Sequence, residues 1–107
     1  MREFVIYARA EFDIQSAYPQ YDGARPGLGD QLLVALDWVF DRIAEYPNSS
    51  SRVVDSPARR AVIHRFPYPV YYTFTPTEVR VVAVLDGHQD QSAVLSEIVN
   101  LQDSHDV

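Results

Sequence analysis

The 107-residue sequence contains no cysteine and no lysine. The absence of cysteine excludes disulfides and thiolate metal sites. His, Asp and Glu do not recur at metal-ligand spacing and no glycine-rich phosphate loop is visible, so we expect no metal and no cofactor. No apolar run approaches the roughly 20 residues that span a bilayer, and charged residues rather than an apolar leader follow Met1. We therefore expect a cytoplasmic protein with no membrane partner.

Positive charge is scarce and unevenly distributed. The formal net charge is −6 and the pI is about 4.8, whereas a chain that grips a phosphate backbone is usually basic. Every permanently cationic side chain is an arginine, and four of them lie close together: Arg52, Arg59, Arg60 and Arg65. A guanidinium can hold carboxylates or phosphates through paired hydrogen bonds. General nucleic-acid binding is thus disfavoured, but residues 52–65 remain a candidate anion-binding surface.

Two helices are predicted in the first half of the chain, after a short strand at residues 4–8. Residues 10–21 form an imperfect apolar stripe in which Pro19 is expected to kink or end the helix. The second helix has a clear period of 3.6 and ends before Pro47. Its apolar stripe consists of Leu32, Leu33, Leu36, Val39, Phe40 and Ile43. Because a short turn joins these helices, we expect a helical hairpin.

The second half changes to strand-like patterns at residues 59–66, 70–75 and 79–85, separated by proline-containing turns. Asp90 is a candidate cap for a short final helix. The order β-α-α-β-β-β predicts an α+β fold, an antiparallel twisted sheet with the hairpin on one face. We expect one domain over residues 1–101 and a flexible acidic tail over residues 102–107. The predicted core is Phe4, Ile6, Ile14, Leu32, Leu33, Leu36, Val39, Phe40, Ile43, Ile63, Val70, Tyr72, Val81, Ala83 and Leu85.

Several short motifs occur in an order that resembles the RelE/ParE toxins of type II toxin–antitoxin systems. GLG at positions 27–29 is similar to the family's entry to its second helix, and Ile43 followed by Pro47 is similar to the exit. RFPY at positions 65–68, VYY at 70–72 and VVAV at 81–84, followed by His88, are similar to its strands and turns. The sequence departs from the family in one region. Many members carry a basic stretch after the last strand, whereas positions 88–95 of this chain are HQDQSAVL and contain no arginine or lysine.

The resemblance implies a toxin that a cognate antitoxin neutralises, with a higher-order complex of the two as a further option. A ParE-like toxin of the plasmid-stabilisation type would poison a protein target, which in the family is DNA gyrase. The low content of basic residues and the lack of a recognisable general acid–base pair favour this ParE-like hypothesis over RNA cleavage. The alternatives are a RelE-like ribosome-dependent mRNA endonuclease, with Arg60, Arg65 and His88 as candidate catalytic residues, and a non-toxic module that only binds antitoxin.

Five residues are candidates for contacting the antitoxin or the target: Trp38, Tyr46, Arg59, Arg60 and Arg65. The two aromatic residues lie at or beside the edge of the second helix's stripe, where they would serve as apolar anchors, although Trp38 could equally belong to the core. Strand alternation places Arg59 and Arg65 on one face and Arg60 on the other. Surface arginines often form only solvated salt bridges, so a purely structural role for the three arginines stays open.

Overall fold

The computed structural model describes residues 3–85, which form two helices and a five-stranded sheet. The elements are β1 (Glu3–Ile6), α1 (Ala8–Ala24), α2 (Leu28–Glu45), β2 (Ser51–Arg52), β3 (Arg59–Ala61), β4 (Val70–Phe74) and β5 (Glu78–Val84). The predicted α+β class and the order β-α-α-β-β-β are confirmed, with the two-residue β2 as an addition. The predicted final helix and the predicted tail lie outside the described residues.

The sheet is mixed, with the strand order β1-β5-β4-β3-β2. β1 runs parallel to β5, and the other three pairings are antiparallel. The prediction of a wholly antiparallel sheet was therefore wrong at β1. Parallel neighbours need a long connection, which both helices and three strands supply here. β5 lies between β1 and β4, and this central position explains why its sequence is apolar on both faces.

A tight turn at residues 25–28 joins α1 to α2. The Leu28 amide donates to the Arg25 carbonyl at 3.0 Å, Pro26 occupies the second turn position, and Gly27 occupies the third with φ 89°. Proline presets the φ of the second position, and the third position of such a turn requires a positive φ that favours glycine. The Asp22 carboxylate accepts from the Gly27 amide at 3.0 Å. The predicted helical hairpin is therefore present. Neither α1 nor α2 is long and apolar enough to cross a membrane.

α1 continues through Pro19 to Ala24, so of the two expected effects of this proline, a kink or an end of the helix, the end does not occur. A proline inside a helix removes one donor, here the donor to the carbonyl of Gln15, four residues earlier. Pro19 and Gln15 are both exposed. The carbonyl that loses its partner therefore lies on the solvent side of the helix, where water can replace the missing amide.

A buried carboxylate joins α1 to the end of β5. Asp13 is 8% exposed; its Oδ2 accepts from the Val84 amide at 3.0 Å, and its Oδ1 accepts from Arg9 Nε at 2.9 Å. β1 ends at Ile6, which is paired with Val81, so the edge of β5 beyond Val81 has no β1 residue opposite it. A buried backbone amide needs a partner. Asp13 provides that partner for Val84.

A β-bulge in β5 changes which residues face the helices. Tyr72 pairs with Val81 but Tyr71 pairs with Ala83, so Val82 is an extra residue. As a result Val82 and Ala83 both pack with Tyr71 on the face away from the helices, whereas Val81 packs in the core beneath the helices. The predicted core had grouped Ala83 and Leu85 with Val81, and the bulge places both of them on the other face of the sheet.

The core beneath the helices contains most of the predicted residues. The buried positions on α2 are Gly29, Leu32, Leu36, Val39 and Ile43. Phe40 is half-buried, with its ring centroid 5.2 Å from that of Phe4 on β1. Leu33 and Ile6 are each 39% exposed, so their assignment to the core was wrong. Leu33 lies beside the narrow stripe that contacts the sheet, and Ile6 lies on an edge strand with no described strand beyond it.

Replacement of Leu36 by Ala should lower the free energy of unfolding by about 2–5 kcal/mol, because it opens a cavity under α2. Leu36→Ala and Leu33→Ala remove the same atoms three residues apart on one helix, so the second is the matched control. Since Leu33 is partly exposed, its replacement should cost less than about 1 kcal/mol. Urea denaturation of both variants measures the difference. Equal losses would contradict the assigned helix face.

Candidate functional site

A groove of about 1080 Å³ lies between α2 and the segment that follows β3. Its lining includes two buried apolar side chains, Val39 and Phe66. Four further apolar side chains in the lining are largely exposed: Val34 (58%), Trp38 (77%), Tyr46 (58%) and Val62 (66%). Isolated exposed apolar side chains are ordinary, but several along one concave surface are typical of an interaction site.

α2 presents apolar side chains on two faces. The stripe that includes Leu32, Leu36 and Ile43 packs against the sheet and is buried. Val34 and Trp38, four residues apart, lie one above the other on a second face that borders the groove. A helix with a single partner surface needs only one apolar face. Packing within residues 3–85 leaves this second face uncovered.

The charged groups of the groove differ between its two walls. α2 contributes the carboxylates of Asp30, Asp41 and Glu45 together with one guanidinium, that of Arg42. Residues 62–66 contribute no carboxylate to the lining, but they contribute the Arg65 guanidinium and an imidazole. The ion pairs found within residues 3–85 are Arg9 with Asp13 and Arg80 with Glu78, and neither lies in the groove. The charges of the groove are thus not neutralised by pairing within this part of the chain.

At the start of α2, Asp30 also contacts α1. The Tyr18 hydroxyl donates to Asp30 Oδ1 at 2.8 Å. This hydrogen bond to a carboxylate raises the pKa of the Tyr18 phenol above its ordinary value, because losing the proton would bring two negative charges together. The ring of Tyr18 also lies against Gly29, where an added Cβ would come within 2.8 Å of it. Gly29 therefore allows the two helices to approach closely at this end of the groove.

The segment after β3 forms a turn instead of continuing as a strand. β3 ends at Ala61, and the Phe66 amide donates to the Ile63 carbonyl at 3.3 Å. Arg65 has φ 74°, a left-handed conformation that non-glycine residues seldom adopt. The prediction of one strand over residues 59–66 was therefore wrong beyond Ala61. The turn places Arg65 on the groove.

Aromatic packing holds this turn against α1. The Tyr21 ring meets the Phe66 ring edge-on, with centroids 5.0 Å apart, and meets the Tyr68 ring at 5.5 Å. The Tyr68 hydroxyl donates to Gln20 Oε1 at 3.4 Å. Edge-to-face aromatic pairs contribute about 0.5–1.5 kcal/mol beyond the area they bury. Phe66 and Tyr68, on either side of Pro67 in the RFPY motif, thus hold this wall of the groove against α1.

Arg59 is held by the loop that follows α2. Its Nη1 donates to the Ser50 carbonyl at 2.6 Å and to the Asn48 carbonyl at 3.3 Å. Tyr72, its cross-strand partner, donates its hydroxyl to the Pro47 carbonyl at 2.6 Å. Together these two side chains bind three carbonyls of one loop. The contacts give Arg59 a structural role.

The chain matches no protein-family model and no curated protein sequence. It is similar in structure to a chain of the chromosomal ParDE toxin–antitoxin system from P. aeruginosa, with a TM-score of 0.69. The similarity covers 78% of this chain and 94% of that chain, at 11% sequence identity. The chain has the RelE/ParE fold. The expectation drawn from the sequence motifs is thereby confirmed at the level of fold.

On this RelE/ParE fold, the predicted contact residues separate into two groups. Trp38, Tyr46 and Arg65 line one groove. Arg59 binds the loop after α2, and Arg60 lies opposite Tyr71 on the sheet face away from the helices. The contact roles of all five residues stay predictions.

The catalytic candidates of the endonuclease alternative are not brought together within the described residues. Arg65 is on the groove and Arg60 is on the far face of the sheet, while His88 lies outside residues 3–85. Over that same range, no group of three or more His, Cys, Asp or Glu is placed to hold a metal ion.

Sequence reasoning missed three residues that the groove and its support depend on. Val34 could have been found from its spacing of four to Trp38, and Val62 from strand alternation, which puts it between Arg60 and His64 on one face. Asp13 carried no such signal, because its partner is a backbone amide 71 residues away.

Replacement of Arg59 by Ala should lower the free energy of unfolding by about 1–2 kcal/mol, since it leaves the carbonyls of Asn48 and Ser50 without this donor. Arg60→Ala removes the same charge from the neighbouring, exposed position and should change stability by less than about 0.5 kcal/mol. Thermal or urea unfolding of the two variants provides the comparison. A neutral Arg59→Ala would show that the loop does not depend on the guanidinium.

Proposed function

We propose that this chain is the toxin of a type II toxin–antitoxin pair and that a segment of its cognate antitoxin occupies the groove along α2. The observation that carries the proposal is the exposed apolar face of α2 on a RelE/ParE fold. The structurally similar chain comes from a system that contains a toxin and an antitoxin. A protein that operates with a dedicated partner is expected to retain such an uncovered surface.

The groove has the composition of a strong binding surface. Trp38, Tyr46 and Arg65 belong to the three residue types that dominate interface energetics. Val34 and Val62 enlarge the apolar surface that a partner can bury. A disordered partner needs such a surface because burial offsets the entropy that it loses when it folds on binding. Because the chain carries a net charge of −6, the antitoxin segment should be positively charged overall.

For the cellular action, we propose poisoning of a protein target, as ParE-like toxins poison DNA gyrase, in preference to cleavage of mRNA. Cleavage of RNA needs a general acid–base pair beside a cationic group that stabilises the developing charge. Arg60 and Arg65 lie on different sides of the sheet, so at most one of the two candidate arginines can belong to such a centre. The acidic net charge also opposes binding of an RNA backbone.

Induced expression of the chain alone should stop growth and alter plasmid supercoiling, with induction of DNA-damage signalling. Co-expression of the protein encoded by the adjacent small open reading frame should restore growth. Codon-dependent mRNA cleavage in a translating extract, abolished by His88→Ala, would replace this mechanism with the endonuclease. Antitoxin binding without any toxicity would reduce the chain to a binding module. If there is no adjacent gene and no toxicity, the toxin assignment fails.

Replacement of Trp38 by Ala should weaken binding to the adjacent-gene product by more than about 1 kcal/mol, because it removes the most exposed aromatic side chain of the groove. Phe12→Ala is the matched control: Phe12 is 65% exposed on α1 and does not line the groove. Isothermal titration calorimetry compares the two variants. An unchanged affinity for Trp38→Ala, or an equal loss for Phe12→Ala, would place the binding surface elsewhere.

A further inference from the structure

Arg65 occupies a backbone position that does not suit arginine. In the turn of residues 63–66 it is the third residue, with φ 74°, where glycine or asparagine is usual. Asp55, with φ 58° in the turn of residues 53–56, is the other non-glycine residue with positive φ in the described part of the chain. Aspartate tolerates this region better than most residues because its short side chain can bond locally. Arginine has no such compensation.

The Arg65 side chain contributes little to the stability of the fold. It is exposed and forms no ion pair with residues 3–85, and the turn itself is held by Phe66 and Tyr68 against Tyr21. A strained residue whose side chain does not stabilise the fold is typical of a functional position. Here that side chain borders the groove, opposite the carboxylates of α2.

The shape of the groove favours a helical occupant. Its lining comes from α2 and from residues 62–66 and includes no residue of the edge strands β1 and β2. Addition of a strand needs the free backbone groups of a sheet edge, whereas an amphipathic helix needs only an apolar trough. The lining residues of α2 and its C-cap extend from Asp30 to Tyr46. At 1.5 Å per residue this is about 24 Å, enough for a helix of roughly four turns.

We infer that Arg65 is the specificity-determining residue of this groove and that it binds a carboxylate on one flank of an amphipathic antitoxin helix. The other flank of that helix is basic and lies along the acidic wall formed by Asp30, Asp41 and Glu45. The inference rests on the proposed function and deepens it. A helix with its two charged flanks exchanged would place like charges against both walls, so the charge pattern determines which partner fits and in which direction.

The test measures stability and affinity of Arg65→Gly in the full chain. Glycine relieves the positive φ, so the melting temperature should stay equal or rise, even though the unfolded chain gains entropy. The Kd for the adjacent-gene product should rise about tenfold or more, since a carboxylate in the interface loses its partner. Asp55→Gly relieves a positive φ away from the groove and should leave the Kd unchanged. Arg65→Lys keeps the charge but not the planar fork, and its Kd should lie between those of wild type and Arg65→Gly.

The outcomes separate this inference from the proposed function. If the wild-type chain does not bind the adjacent-gene product, the proposed function itself fails. If wild type binds and Arg65→Gly binds equally well, the antitoxin assignment stands and the role of Arg65 is overturned. A lowered melting temperature for Arg65→Gly would overturn the argument from backbone strain. An affinity loss in Asp55→Gly as large as that in Arg65→Gly would assign the effect to the backbone and not to the guanidinium.

Discussion

The hydrogen bond from the Val84 amide to Asp13 is the contact on which the rest of the architecture depends. It attaches α1 to the central strand at the point where β1 ends and the bulge has already redirected β5. A buried carboxylate is costly unless its oxygens are bonded, and Asp13 uses one oxygen for the sheet and the other for Arg9. With α1 held there, Tyr21, eight residues further along, meets Phe66 and sets the position of the groove's second wall.

The parts of the fold that follow from local pattern were predictable. The period of 3.6 in α2 identified both the helix and its buried stripe, because the stripe packs against a sheet whatever the order of the strands. The bulge at Val82 was not predictable, since a valine-rich run is compatible with either register. The parallel pairing of β1 with β5 was equally hidden, because the sequence of an edge strand does not encode the direction of its neighbour.

The candidate site shows the same division between local and long-range information. Trp38 and Tyr46 stood out because they are aromatic residues at or beside the edge of the buried stripe, and the structure shows that both are exposed. Arg59 and Arg65 looked equivalent by strand alternation, yet one binds the loop after α2 and the other lies in a left-handed turn. The difference arises from contacts distant in sequence: the carbonyl of Ser50 for Arg59, and the ring of Tyr21 for the turn of Arg65. Propensity favours a strand through AVIHRF, and tertiary packing overrides it.

The pairing of the first strand with the last has a consequence for synthesis. β1 finds its partner only when residues 78–81 exist, and Asp13 finds its partner only when Val84 exists. Contacts of such long sequence separation form late, because the chain must close a large loop before any of them stabilises it. A nascent chain on the ribosome therefore presents its helices without the sheet beneath them, and the second wall of the groove is not yet in place. A partner that recognises both walls can therefore engage only a chain in which β5 has been made and has paired with β1, so it does not capture shorter fragments.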